Sequence, residues 1–188
     1  MMNPFATASV SLYEVPLGCE AVPGMGCGVL AKPILAILAR EPAVAEAWLN
    51  RNGTMVAVLW NEGIAPEFRS ERIRSILAEQ GLAARELAGA ARKSTLRDFS
   101  SGAGWYRGDA VDRLSEEEAA IIAARLVHRV TAKVPLSDDK IETLLKAFGE
   151  VCRHQLINRP VTSTPLRRQR TRERNLESWA QPSRWCCT

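Results

Sequence analysis

The four residues Asn50-Arg51-Asn52-Gly53 constrain this chain more than any others. They separate two β-prone runs, residues 44–49 and 54–60, and an Asn-Gly pair between such runs is the strongest short-range signal of a β-hairpin. Upstream, residues 11–17 (SLYEVPL) alternate, with Leu12, Val15 and Leu17 as candidate buried positions, and read as a short strand despite Pro16. A Gly- and Pro-rich loop follows (GCEAVPGMGCG), and then Leu30, Ile34, Ile37 and Leu38 recur at the spacing of an amphipathic helix. Pro33 suits only the start of that helix, which places the first turn within three or four residues of Cys27, and Pro42 ends it. Downstream, Pro66 opens a second helix with Phe68, Ile73, Ile76 and Leu77 on its apolar face and Gly81 as its C-terminal cap. Residues 82–87 have weak strand propensity and fit only the edge of a sheet. The order β-α-β-β-α-β predicts an α+β fold of the ferredoxin-like, split βαβ kind, with two helices on one face of a four-stranded antiparallel sheet.

Composition bounds what such a chain can be. Its 188 residues, 46% of them hydrophobic and 24% charged, suffice to bury a core. The most apolar stretch, residues 29–39, is broken by Lys32 and Pro33 and falls short of the roughly 20 residues that cross a bilayer, so no membrane span is expected. Residues 1–17 lack the basic start of a secretory signal, and a cytoplasmic location is the expectation. Five cysteines in a reducing compartment are expected to be free, metal-bound or buried. There is no Gly-rich phosphate loop after a strand, no His-Glu-x-x-His and no Cys-x-x-Cys pair, so the chain is not expected to be an enzyme.

The stretch Gly24-Met25-Gly26-Cys27-Gly28 with an immediate helix, the run PAVAEAWLNRNGTMVAVLW, and a second helix ending EQGLAA resemble the heavy-metal-associated domain of copper chaperones and metal-transporting ATPases. The resemblance covers residues 9–88, less than half of the chain. In that family the motif is Gly-Met-x-Cys-x-x-Cys, whose two thiolates grip a soft ion at the mouth of the first βα loop. Gly24, Met25 and Cys27 match it here, and Leu30 stands at the position of the second cysteine. The resemblance implies Cu(I) as the leading ion, with Zn(II) or Hg(II) behind it, and a linear Cu(I) site needs two soft ligands.

Cys27 is the first candidate ligand, since the N–H groups and dipole of a helix start favour a thiolate there. A partly buried structural cysteine is the alternative. Cys19 lies eight residues upstream in the same loop, and Gly18, Gly24 and Gly26 allow the loop to fold back and bring the two sulfurs together. The alternative for Cys19 is that it ends the first strand and faces the core. Met25 is expected to pack inward. Cys152 and His154, two apart on one helix, point to different faces and cannot chelate one ion, and Cys152 continues the stripe Ile141, Leu144, Leu145, Phe148 as a buried core residue. His128 falls opposite the apolar face of its helix and is expected to be solvated. Cys186 and Cys187 are adjacent near the chain end and offer only a weak metal or oxidation site.

Residues 89–111 read as a linker, with Trp105 and Tyr106 as docking residues. Leu114-Ser115-x-x-Glu118 has the form of a capping box and starts a helix whose apolar face runs Ala119, Ile122, Ala123, Leu126, Val130. Pro135 closes a connection, Ser137 caps the next helix, and residues 112–157 form an antiparallel helical hairpin. Two such helices bury too little surface to be stable alone, so their shared face must meet the linker aromatics, the first domain or a second copy of the chain. Residues 158–188 hold seven basic and two acidic side chains, with five arginines between 167 and 174. This Arg-rich tail reads as disordered, with weak, salt-sensitive polyanion binding as its one suggested activity.

Two functions follow from different classes. One is a soft-metal binding protein acting in metal trafficking or sensing through Cys27, in a single-cysteine variant of the family's loop, with Cys19 of the same chain or Cys27 of a second chain as the other ligand. The other is a protein-interaction module that keeps the scaffold without the metal and binds a protein partner, or itself, through the helical hairpin. RNA binding on the sheet face is a third idea, disfavoured because Tyr13 is the only ring in the first strand.

Overall fold

The computed structural model describes residues 9–157. The Arg-rich tail and the Cys186-Cys187 pair lie outside the described residues. β2 (Val44–Asn50) and β3 (Met55–Trp60) form the hairpin, paired from Leu49↔Val56 at the turn to Val44↔Trp60 at the far end. Asn50 organises the turn, because its Oδ1 accepts from both Thr54 N and Met55 N at 2.9 Å, while Gly53 supplies the left-handed φ of 70°. A register shift between Val44 and Glu46 marks a β-bulge that re-aims β2, so that Val44, Ala47 and Leu49 all join one core.

β1 (Val10–Glu14) pairs antiparallel with β3, and β4 (Arg85–Glu86) pairs with the other edge of β1. α1 (Gly28–Ala39) lies between β1 and β2, and α2 (Pro66–Glu79) between β3 and β4. α2 ends as its residues require: Gly81 takes φ 73°, and Leu82 N returns to the Leu77 carbonyl at 2.9 Å. The main core holds Tyr13, Val56 and Val58 from the sheet against Ala31, Ile34, Leu35 and Leu38 of α1 and Ile73, Ile76 and Leu77 of α2. Burying each of the Val, Leu and Ile side chains among them contributes roughly 1.5–3 kcal/mol before conformational entropy is subtracted. Phe68, expected on the apolar face of α2, is 48% exposed, because it lies in the first turn, ahead of the contact with the sheet. Pro33 sits in the second turn of α1 rather than the first, where its missing N–H leaves the Val29 carbonyl without its intrahelical donor.

The segment expected to be a linker is ordered structure. It forms α3 (Gly89–Ser100), β5 (Trp105–Tyr106) and a short 3-10 helix, Gly108–Val111. β5 pairs with β2, so the sheet has five strands rather than four, in the order β4-β1-β3-β2-β5, all antiparallel. α3 covers the face of the sheet opposite α1 and α2. Phe99 packs there edge-to-face on Trp48 (5.9 Å) and Trp105 (5.0 Å), over Val10, Leu12, Ala57 and Leu87. The sheet face that RNA binding would use is therefore occupied by the chain itself. The described residues as a whole form a mixed α/β structure with five α-helices and one five-stranded sheet.

α4 (Asp112–Thr131) and α5 (Asp138–Ile157) form a helical hairpin, and its partner is the sheet domain of the same chain. Val111 and Leu114 are fully buried in the main core. Lys32 Nζ on α1 donates to both carboxylate oxygens of Asp112 at 2.8 Å, Arg51 in the β2–β3 turn pairs with Glu117 at 2.6 Å, and Arg125 donates to the Ala21 carbonyl. Lys32→Ala should cost only about 0–1 kcal/mol in chemical denaturation, since the pair is partly solvated and the buried apolar contacts remain. A loss of several kcal/mol would mean that the ion pair, rather than Val111 and Leu114, holds the hairpin in place. None of the described helices is long and apolar enough to cross a membrane.

Candidate functional site

The loop between β1 and α1 hangs on the turn of the hairpin. Val15 N and Leu17 N donate to the carbonyls of Thr54 and Gly53, each at 2.9 Å, which carries the chain past Pro16 without a strand. Gly18 and Gly26 then form an isolated antiparallel bridge, with Cys19 N donating to the Met25 carbonyl at 2.7 Å and Cys27 N to the Leu17 carbonyl at 2.8 Å. This folds the loop into a miniature ribbon. Residues 17, 19, 25 and 27 alternate onto one side of it, so Cys19 and Cys27 are diagonal neighbours on the same face. Gly26 N also donates to the Arg51 carbonyl at 2.7 Å, and a Cβ on Gly26 would stand 3.0 Å from the Gly53 Cα. Only glycines allow the two backbones to approach so closely.

Cys27 is the N-cap of α1, half-buried, with extended backbone and no capping bond from its side chain. The positive end of the helix dipole lies beside it. Cys19 is buried, and it is held from the far side by α4. Its Sγ donates to Glu118 Oε1 at 2.9 Å and accepts from Val22 N at 3.3 Å. Burial, followed by the hydrogen bond to Glu118, pushes the Cys19 thiol up to about 12, with the Cys27 sulfur close enough to act on it electrostatically.

Glu118 is only 3% exposed. Burial raises its carboxyl above the ordinary range, against the lowering effect of the Cys19 thiol and the Gly28 N–H, both of which donate to it. Its Oε2 is buried and has no hydrogen-bond partner. Next to it, Ser115 is 1% exposed and packs so tightly on α1 that a Cβ at Gly28 would fall 2.0 Å from Ser115 Oγ. The capping-box reading of Ser115 and Glu118 is thereby corrected. α4 begins at Asp112, one turn earlier, and both residues point into the protein from the helix body.

The structure thus brings Cys19 and Cys27 to one face of one loop and adds Glu118 beside Cys19. Among the described residues no three His, Cys, Asp or Glu side chains already converge as a cage for a metal ion. What the site does hold is a buried pair, the Cys19 thiol donating to Glu118 Oε1, with Oε2 of the same carboxyl buried and unpartnered. Met25 is buried in the main core. Cys152, expected as a core residue, is only half-buried, because none of the residues of α5 is buried and only one side of that helix faces α4. His128 and His154 are exposed.

Sequence reasoning missed Glu118. The signal was present: Val111, Leu114, Ser115, Glu118 and Ala119 lie at helical spacing on one stripe, which places a carboxylate on a buried face. Comparison with known protein families, with curated proteins and with solved structures finds no match to this chain.

Proposed function

We propose that this chain is a metal-binding protein that takes a soft or borderline ion at the β1–α1 loop through Cys27 and Cys19, on a ferredoxin-like βαββαβ scaffold of the heavy-metal-associated kind. One observation carries the reading: the Gly18↔Gly26 bridge folds the loop so that both cysteines share a face, which supplies a second thiol although Leu30 occupies the usual position. Cys27, half-buried at the helix start, is the ligand that meets the incoming ion, and Cys19 is the inner one. Such a site serves trafficking or sensing, in which an ion is passed by thiolate exchange.

Native mass spectrometry of the reduced full-length chain with Cu(I) and with Zn(II) tests this. One ion per chain is expected for the wild type and none above background for Cys27→Ala, whereas Cys152→Ala keeps the stoichiometry. Equal occupancy of wild type and Cys27→Ala overturns the reading. The same spectra address the alternative, an interaction module working through the helical hairpin, which is favoured by the exposure of Leu145 and Val151 on α5. A metal-independent dimer with no bound ion would support that alternative.

A further inference from the structure

We propose that residues 166–179 of this chain, from Leu166 to Trp179, dock back on the open side of α5, in the groove between the start of α4 and the end of α5. The inference is independent of the cysteine loop. α5 is amphipathic, with Ile141, Leu144, Phe148, Cys152 and Leu156 on one stripe. A helix of that pattern ordinarily buries its stripe, yet no residue of α5 is buried, and these five are only half-covered by α4. Val151, seven residues after Leu144 and therefore on the same side of the helix, is 61% exposed. An apolar face left open along a 20-residue helix marks the seat of a further layer.

The groove sets the chemistry of that layer. Glu116 of α4 and Glu150, Val151, Arg153, His154 and Ile157 of α5 line it. Glu116 and Glu150 are exposed, and neither belongs to an ion pair among the described residues, so the groove offers two carboxylates beside an apolar side chain. Residues 166–179 (LRRQRTRERNLESW) are the complement. They bring five arginines between 167 and 174 to the carboxylates, Leu176 and Trp179 to Val151 and Ile157, and Glu173 and Glu177 to Arg153. Reach favours the same occupant. α5 ends at Ile157, on the wall of the groove itself, and the intervening residues 158–165 span up to about 26–29 Å, ample to turn back over roughly the last two turns of α5. The tether raises the concentration of the segment at the groove to roughly the millimolar range, which a second copy of the chain in dilute solution does not match.

Trypsin reads the docking directly, because five of its target residues lie in the segment. Cleavage between Arg167 and Arg174 is followed by mass spectrometry in the full-length chain for the wild type, a Glu116→Lys/Glu150→Lys double variant and Val151→Asp, with the free peptide of residues 166–179 giving the rate of an undocked segment. These substitutions fall on exposed side chains, so the fold should survive, as circular dichroism would show. In dilute salt the wild-type segment should be cut at least about tenfold more slowly than the peptide, and each variant about 3–10-fold faster than the wild type. Raising the salt should speed the wild type toward the charge-reversed variant, since the pairs lie at the surface. A wild-type segment cut as fast as the peptide overturns the proposal. Protection that both variants keep also overturns it, because the segment would then be seated elsewhere. Protection that grows with protein concentration, together with a dimer in sedimentation velocity, would mean that a second copy covers α5 and overturns it as well.

Discussion

Replacing Gly53 by alanine should lower the unfolding free energy by about 2–6 kcal/mol, a large part of the 5–15 kcal/mol that holds a typical domain together. Two effects combine. Gly53 has φ +70°, where a side chain strains the backbone by about 1–3 kcal/mol. In addition, the new Cβ would stand 2.4 Å from the Leu17 carbonyl oxygen and 2.6 Å from the Gly26 Cα, so it must force apart two backbones that have no rotamer to yield, which adds about 1–3 kcal/mol. Gly63→Ala is the control, because Gly63 has φ +80° and nothing within 4 Å of its Cβ, so it carries the strain alone. Urea denaturation of the two variants separates the contributions. If they lost equal stability, the hairpin turn would not be the support on which the cysteine loop rests. If Gly53→Ala folds, the metal binding proposed for the loop should weaken too, since the displaced Leu17 and Gly26 lie beside the residues that carry both sulfurs.

The same turn shows how far the sequence could be read. Asn50 to Gly53 declare a hairpin because every interaction that makes the turn lies within five residues, and Gly81 declares a helix end for the same reason. α3 made no such declaration. Its sequence GAARKSTLRDFS has only Leu96 and Phe99 as large apolar residues, and Phe99 is buried by Trp48, 51 positions earlier, and by Trp105 beyond the end of its own helix. β5 is two residues long and exists because Leu49 and Asn50 offer it an edge, which no local pattern in residues 89–111 encodes. The site divides likewise. Cys27 was visible from a helix start and Cys19 from a glycine-rich loop, whereas Glu118 acquires its meaning from a contact across 99 residues.

The alkaline limb of the stability curve should carry the signature of Cys19. In the metal-free chain the folded state holds the thiol proton up to about 12, against 9.0 for an ordinary thiol, because the sulfur is buried and donates to Glu118. Between those values the folded chain binds more protons than the unfolded one, so stability must fall as pH rises. The contribution is fully present below pH 9.0 and is lost as the pH passes through about 12. The slope is about 1.4 kcal/mol per pH unit, and the total reaches about 4 kcal/mol. Glu118 acts with the same sign on the acid side: its raised carboxyl stabilises the fold at low pH and costs stability as it ionises. Charge on the half-buried Cys27 sulfur opposes the ionisation of Cys19 further. Cys19→Ser keeps a small hydroxyl donor for Glu118 but has nothing to titrate, so its denaturation midpoint should fall less steeply between pH 9 and 11 than that of the wild type. Parallel slopes for the two proteins would mean that the Cys19 thiol ionises in the folded chain as readily as in the unfolded one, and that Glu118 does not hold its proton.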